Sequence, residues 1–381
     1  MKIEIAKSDL VASLSVAVLA VAAGSDLSSH YLFRLKDGKV EVLAANMRIF
    51  ARSPLICNVS PEGGEAFTVE AWRLDKWLSG TSDGVVKISS ENGEVQVSSG
   101  KSKVRLRSLD PSKFPYWDEL FKKSSSGGSI SPQTLSRAIG FARWFVSADD
   151  TSKPELCQIE AVKGVIWATD RRALSSVQVP ALPDLNIRIP GKDVGPLSRF
   201  LSAKTTLENT IEIREAEREG GGGCAFFVRP DGSYFGVARP TSNFPKLDVD
   251  RNASPECSLK MGKEEFFSAL SVLSSAAPKD HKLVTFQMDQ ETKVVSLSMP
   301  CEAGGTDEFP LSSAQVTNPD KFTAPFTVDH PYIKGVVDCF DKDDIEFGIM
   351  RKGKSGFISF KDEDKDVERG NQYFSVILWR T

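Results

Sequence analysis

Apolar and polar positions along this chain switch between a helical and a strand-like period, and the same order returns several times. Ser8 to Ala23 is apolar on most sides and begins at a serine suited to capping, so the pattern predicts a helix. Strand-like runs follow at Tyr31 to Lys36, Lys39 to Ala45 and Ile49 to Cys57, with Asp37-Gly38 as a hairpin turn. One helix followed by strands is therefore the predicted structural unit.

The same unit recurs along the rest of the chain. Its further helices are predicted at Ala71 to Leu78, Pro132 to Ala148, Lys192 to Ala203, Lys263 to Ala277 and His330 to Phe340. Its further strands are predicted at Phe67 to Val69, Val85 to Ser89, Glu94 to Ser98, Val104 to Leu109, Leu156 to Ala161, Val165 to Thr169, Ala173 to Val179, Ile187 to Pro190, Leu283 to Met288, Val294 to Met299 and Phe326 to Val328. Two units in each domain predict an α+β protein of three repeated domains, at 1–127, 128–252 and 253–381.

A repeated strand ending supports the internal repeat. Gly100 to Pro115 ends in Phe-Pro, and the same pair closes Val237 to Pro245. In both copies proline stops the strand and favours an extended residue before it. Between the copies, the Ser/Gly-rich stretch Ser124 to Ser129 is predicted to be a flexible link between domains.

Composition limits the classes of protein that fit. The chain has 381 residues, of which 40% are hydrophobic and 26% charged, and no apolar run approaches the roughly 20 residues of a membrane span. The charged start, MKIEIAKSDL, is unlike a signal peptide, and six dispersed cysteines fit reduced thiols. We therefore expect a soluble protein with reduced thiols, as in a cytosol.

Six segments, taken together and in order, resemble one family over the whole chain. They are Phe67 to Leu78, Lys101 to Pro115, Ala168 to Leu174, Asn186 to Leu201, Asn243 to Pro245 and Phe374 to Thr381. The chain resembles the bacterial-type sliding clamp, the beta subunit of DNA polymerase III, including a divergent phage-encoded form. The resemblance implies a DNA polymerase processivity factor: a head-to-tail homodimer ring that encircles double-stranded DNA without sequence preference. Its partners would be the replicative DNA polymerase and the clamp loader, and it would need no cofactor or metal. The resemblance also implies a place in the bacterial cytoplasm or nucleoid, or in an infected host cell.

The charge distribution fits a ring that is basic only inside. The net charge is −3 overall, made up of +2, +1 and −6 for the three predicted domains in order. By the resemblance, the basic residues of the inner helices contact DNA: Arg73, Lys76, Arg137, Arg143, Lys192, Arg199 and Lys204. The apolar face of the third predicted helix directs Arg137 the opposite way. The alternative is that these charges simply face water.

Some helices offer less to DNA. The first helix has no Lys or Arg, and only Lys7 precedes it. Lys263 and Lys334 have acidic neighbours on their own helices, which compete for their charge. We therefore expect the DNA contacts to come mainly from the first two domains.

The resemblance also implies two protein-binding surfaces. A pocket for a short hydrophobic motif of partner proteins would use Thr169, Arg172, Leu174, Pro245, Ile377, Leu378, Trp379 and Arg380. The family's Pro and Met positions near the end of the chain are Leu378 and Trp379 here, so the peptide preference is expected to differ. Dimer closure would use Val104 and Leu106 against Val272 and Leu273 of a second copy. Plain core positions are the alternative for both sets.

Other functions fit the residues less well. Gly80 to Gly84 matches GxSxG around Ser82, but it follows a predicted helix and precedes a strand, the reverse of a nucleophile elbow. Gly100-Lys101-Ser102 lacks the first glycine of a P-loop, and three histidines show no metal spacing. We therefore expect no enzymatic activity. A repeated β-rich scaffold or virion protein is the alternative to a clamp.

Overall fold

The computed structural model describes most of the 381 residues. It leaves out residues 25, 63, 150, 183, 203–209, 218–221, 248–253, 340–341, 353–354, 364–371 and 381, and the side chains of 352, 355, 363, 379 and 380. None of the described helices is both long and apolar enough to cross a membrane.

Seven α-helices lie within the described residues. They are α1 Lys7–Ala17, α2 Ala71–Gly80, α3 Asp118–Lys123, α4 Pro132–Ala142, α5 Gly191–Ser202, α6 Lys263–Ala276 and α7 His330–Asp338. Single turns of 3₁₀ helix cover Val18–Ala20, Leu27–Ser29, Pro111–Lys113, Arg143–Phe145, Pro154–Leu156 and Pro319–Lys321.

The strands fill most of the remaining chain. In the first part they are β1 Lys2–Ala6, β2 His30–Lys36, β3 Lys39–Ala45, β4 Ile49–Leu55, β5 Asn58–Ser60, β6 Ala66–Glu70, β7 Val85–Glu91, β8 Glu94–Ser99, β9 Ser102–Arg107, β10 Ser125–Ile130, β11 Gln158–Val162, β12 Val165–Thr169 and β13 Ala173–Gln178. The later ones are β14 Asn186–Pro190, β15 Ile211–Glu217, β16 Gly223–Val228, β17 Tyr234–Ala238, β18 Cys257–Gly262, β19 Leu283–Met288, β20 Val295–Pro300, β21 Thr306–Leu311, β22 Gln315–Thr317, β23 Phe326–Asp329, β24 Asp344–Lys352, β25 Ser355–Glu363 and β26 Gln372–Arg380.

The chain divides into two compact units, of which the first comprises residues 1–136 and 182–241. One of its antiparallel sheets has the order β5-β1-β7-β8-β9, and the other has the order β10-β15-β16-β17-β4-β3-β2-β6. Its largest aromatic cluster lies under the second sheet, where the ring of Phe121 stacks on Tyr234 with centroids 4.2 Å apart. Phe50, Trp117 and Phe226 pack around this pair. Burying side chains of this size contributes roughly 1.5–3 kcal/mol each to folding.

The second unit comprises residues 137–181 and 242–381. Its antiparallel strands run in the order β11-β12-β13-β26-β23-β19-β20-β21, and β26 also pairs with β25, which continues through β24 and β18 to β22. α6 packs on β20 and β21 through Phe266, Ala269, Leu270 and Leu273, which are buried.

Two strand pairs show the internal repeat directly. β17 pairs with β4, with Gly236 opposite Phe50, and β26 pairs with β13, with Val376 opposite Leu174. β4 is the third strand of the meander β2-β3-β4, and β13 is the third strand of the meander β11-β12-β13. Each of them pairs with the last strand of the next predicted domain, β17 or β26. Among the described strands, β9 and β21 occupy the corresponding positions at the two ends of the repeat, and each lies at the end of its sheet.

The predicted helices are confirmed, and each begins at or next to the predicted residue. The first and third end earlier, at Ala17 and Ala142, and continue only as 3₁₀ turns. At the end of the first of these 3₁₀ turns, the Ala20 carbonyl accepts a hydrogen bond from Asn46 Nδ2. The sequence analysis did not predict β1, although its residues alternate between polar and apolar, or α3, which is too short to show a clear helical period.

The prediction of a flexible link at Ser124 to Ser129 is wrong. These residues lie mostly in β10, which pairs with β15 and has a register shift between Ser126 and Gly128. A Cβ atom at Gly127 would lie 1.9 Å from Cδ2 of Leu185, so glycine here permits close packing. The three-domain division at 127/128 and 252/253 stays a prediction, because both sheets that contain the repeated strand pairs cross these boundaries.

Candidate nucleic-acid interface and partner surfaces

The first candidate cations lie on α2. Arg73 and Lys76 are exposed on the side opposite Leu74 and Leu78, which are buried. The Nε atom of Arg73 lies 2.6 Å from the carboxylate of Glu70, and its guanidinium lies 5.1 Å from the centre of the Trp72 ring. Arg73 is thus held by Glu70 at the end of β6 and by Trp72 on α2, whereas Lys76 forms no ion pair with the described residues.

The second pair lies on α4 and just after it. Arg137 is exposed while Ala138 and Ile139 are buried, which confirms the predicted face of the helix. Arg143 is also exposed, but it lies in the 3₁₀ turn that follows α4, with its guanidinium 5.1 Å from the centre of the Trp144 ring.

The third pair lies on α5, which buries Val194, Leu197 and Phe200 and exposes Lys192 and Arg199. Both cations can therefore reach a ligand outside the protein. Lys204, the remaining candidate, lies outside the described residues.

α1 presents a different surface. The ammonium group of Lys7 donates to the Thr81 carbonyl oxygen at 2.6 Å and lies 3.5 Å from Asp83, so its charge is used locally. Val11 on α1 and Val18 in the 3₁₀ turn that follows are exposed. The sequence-based expectation that this helix offers little to phosphate agrees with that surface.

The candidate partner residues come together in one strand arrangement, which we name the Arg172 frame: Thr169 to Leu174 with Ile377 and Leu378. Ile377 lies opposite Ala173, and the Leu378 amide donates to the Arg172 carbonyl at 2.9 Å. Thr169, Leu174 and Ile377 are buried, while the side chain of Arg172 is 72% exposed and Leu378 is 52% exposed. Pro245 is half-buried, and the side chains of Trp379 and Arg380 lie outside the description.

Sequence reasoning missed two residues that shape the Arg172 frame. Asp170 Oδ1 accepts hydrogen bonds from the amides of Arg172 and Ala173, each at 2.9 Å. Its other carboxylate oxygen accepts from the Tyr332 hydroxyl of α7, and burial together with this bond raises the pKa of Tyr332. Asp170 could have been identified from the sequence, because an aspartate at the start of a short turn commonly accepts hydrogen bonds from the amides that follow.

The four dimer candidates separate into two classes. Leu106 and Leu273 are buried within their own units, whereas Val272 is 54% exposed on α6 and Val104 is half-buried on β9. β9 also exposes Lys103, Arg105 and Arg107 on its other face.

Comparison with solved structures identifies the architecture. The DNA polymerase III beta subunit of Thermotoga maritima matches with a TM-score of 0.81 at 16% identity, over 100% of this chain and 99% of that one. The beta subunit from the DNA polymerase of Streptococcus pyogenes matches with a TM-score of 0.81 at 14% identity, over 100% of both chains. The chain has the sliding-clamp fold. A sliding clamp from Bartonella birtlesii bound to griselimycin gives a TM-score of 0.80 at 17% identity, over 100% and 99%.

The sequence itself gives no comparable match. No protein-family model matches the chain, and no curated protein matches it. The sliding-clamp fold is therefore recognised from the strand and helix arrangement over the whole chain. This confirms the predicted fold class.

Proposed function

We propose that this chain is a DNA polymerase processivity factor. Two copies join head to tail into a ring that encloses duplex DNA and holds the replicative polymerase and other partners on it, without catalysing a reaction. The observation that supports this most strongly is the match to sliding-clamp structures over the full length of both chains.

The internal repeat supports the head-to-tail assembly. Within the chain, β4 pairs with β17 and β13 pairs with β26. In both pairs, the third strand of a meander in one predicted domain joins the last strand of the next predicted domain. Continuing the same rule requires β9 of one copy to pair with β21 of another. Two such joins use β9 and β21 of each copy, so the ring closes at two copies if each join turns the chain by half a circle.

The charges of these two edges are complementary. The exposed face of β9 has Lys103, Arg105 and Arg107, and the exposed face of β21 has Glu308. An antiparallel join would bring these faces to the same side of a continuous sheet. Opposite charges there would favour β9 against β21 over β9 against a second β9.

DNA binding in this proposal is loose. Arg73, Lys76, Arg137, Lys192 and Arg199 are exposed helix residues that can approach phosphates. Because the net charge is −3, the remaining surface does not attract DNA strongly. Retention then depends on enclosure, and the phosphate contacts can exchange as the ring moves.

The Arg172 frame is the proposed attachment point for polymerase and clamp loader. Its exposed Leu378 and Arg172 lie beside each other at a strand end, above a buried base that includes Thr169 and Leu174. An apolar side chain next to a cation suits a short peptide with a hydrophobic residue and a carboxylate.

Two linked measurements test the proposal. Native mass by light scattering should give a dimer, and protein loaded by its cognate loader should stay on nicked circular DNA but leave the same DNA after linearisation. A monomer or filament retained equally on both forms would overturn the ring mechanism and favour a repeated scaffold.

A further inference from the structure

A second copy of the Arg172 frame lies in the first compact unit, where a turn of the first predicted domain meets the last strand of the second. We name it the Arg48 frame: Ala45 to Phe50 with Val237 and Ala238. Asn46 Oδ1 accepts hydrogen bonds from the amides of Arg48 and Ile49 at 2.8 and 2.9 Å, as Asp170 does for Arg172 and Ala173. The turn that supports the proposed partner site is therefore built twice.

The strand beside the turn is also repeated. The Ala238 amide donates to the Arg48 carbonyl at 2.7 Å, and the Leu378 amide donates to the Arg172 carbonyl at 2.9 Å. Val237 lies opposite Ile49, just as Ile377 lies opposite Ala173. Phe-Pro follows the last strand in both domains, at Pro115 and Pro245.

A groove of about 750 Å³ opens on the Arg48 frame. Leu27, Met47, Leu109 and Pro115 line it, and the Met47 side chain is 87% exposed. An exposed methionine beside apolar walls is suited to an extended peptide, because its flexible side chain adapts to different partners.

The charged groups of the groove indicate the kind of peptide. Asp26 and Asp110 also line it, but each carboxylate accepts a hydrogen bond from an amide of its own turn, Ser28 or Ser112, at 3.0 Å. Lys113 forms no ion pair with the described residues, and the Arg48 side chain is 41% exposed. Arg48 already lies 3.5 Å from a carboxylate oxygen of Asp193, so Lys113 is the cation left to meet a ligand carboxylate.

We propose that the Arg48 frame is a second docking site, which takes a short extended peptide with bulky apolar side chains and a carboxylate. The inference rests on the proposed function in one respect: the partner is a peptide of the same kind as the one proposed for the Arg172 frame. It gives each copy two attachment points, so a ring of two copies would offer four.

Peptide binding to the full chain tests this. The probe is a fluorescein-labelled hexapeptide, Asp-Leu-Phe-Glu-Leu-Phe, and isothermal titration gives the number of sites. We expect two per chain in the unaltered protein and one in Met47→Glu, with at least about a tenfold loss of affinity at the altered site. Ile56→Glu is the matched control, because Ile56 is 88% exposed and does not line the groove, and it should keep both sites.

A second variant separates the two frames. Leu378→Glu should remove the site at the Arg172 frame and leave one site per chain. The double variant Leu378→Glu with Met47→Glu should have none. If the unaltered protein has a single site, lost in Leu378→Glu and kept in Met47→Glu, the second docking site is overturned and the proposed function stands. If no site is found, both the second site and the proposed peptide attachment fail.

Discussion

The guanidinium of Arg48 lies 3.5 Å from a carboxylate oxygen of Asp193, a side chain with no exposed surface. Neither oxygen of Asp193 accepts a hydrogen bond from the described residues, and burial raises the pKa of this carboxyl. Arg48 is therefore the cation that offsets a buried negative charge. The pair connects the turn after β3 with α5, so it joins the first predicted domain to the second.

Replacing Asp193 with asparagine should stabilise the protein at neutral pH. Because the pKa of Asp193 is higher in the folded chain, the folded state holds the proton more tightly, and stability falls as pH rises above about 4. We expect Asp193→Asn to raise the free energy of unfolding by about 1 kcal/mol at pH 7, with the gain shrinking towards pH 4. Denaturant unfolding at both pH values measures it.

The matched control is Asp83→Asn, since the side chain of Asp83 is fully exposed. It should change stability little at either pH. A loss of stability in Asp193→Asn at pH 7 would mean that attraction to Arg48 outweighs the burial of the charge.

Periodicity predicted the repeated plan of this fold but not every strand. The helices were found because each buries one face over several turns, as Leu74 and Leu78 do on α2. β10 was missed because its residues, SSGGSI, have no strand pattern. Its pairing depends on β15 and on Leu185, which lie far along the chain, and local sequence does not reveal such partners.

Gly127→Ala tests whether β10 is a packed strand. A Cβ atom would lie 1.9 Å from Leu185, so we expect a loss of about 1–3 kcal/mol in the free energy of unfolding. Gly140→Ala is the control, because no atom lies within 4 Å of a Cβ there and the residue is in α4. It should be neutral or stabilising by up to about 1 kcal/mol.

Combining Gly127→Ala with Leu185→Ala should cost less than the sum of the two single changes, since the smaller side chain makes room for the new methyl group. Additive losses in thermal or denaturant unfolding would show that the two residues do not touch.

The candidate site could be predicted only in part. Cations on the exposed faces of helices follow from periodicity, and Arg137 and Arg199 are exposed as expected. Leu106 and Leu273 were assigned to an interface by resemblance, yet they are buried within their own units. The Glu70 contact with Arg73 depends on the bend between β6 and α2, so the sequence alone did not reveal that this cation is already paired.

The ion pair between Glu70 and Arg73 leads to a prediction about DNA affinity. Lys76→Ala should weaken binding to linear duplex DNA and lower the dependence of log K on log salt by about one. Glu70→Gln should strengthen binding about threefold, because it releases Arg73 from its partner and removes a negative charge. Fluorescence anisotropy at two salt concentrations measures both.

Glu291→Gln gives the same change in net charge at an exposed turn after β19 and should leave the affinity nearly unchanged. If Glu70→Gln has no larger effect than this control, Arg73 does not approach DNA.

The proposed join between copies gives the last prediction. Arg105 is exposed on β9 and Glu308 on β21, so in the head-to-tail pairing opposite charges meet at the edge of each sheet. Arg105→Glu should raise the dimer dissociation constant about tenfold or more, because it places like charges there. Sedimentation at several concentrations measures the constant, and Lys39→Glu, an equal charge change on β3, is the control that should leave it unchanged.

Charge exchange makes this test specific. Glu308→Arg alone should weaken the dimer in the same way, while Arg105→Glu combined with Glu308→Arg should restore most of the affinity, since the attraction returns with its direction reversed. Higher salt should reduce the difference between the single and double variants, because exposed charges are screened. If the double variant dissociates as readily as the single variants, Arg105 and Glu308 do not face each other, and a join between these two edges would need another register.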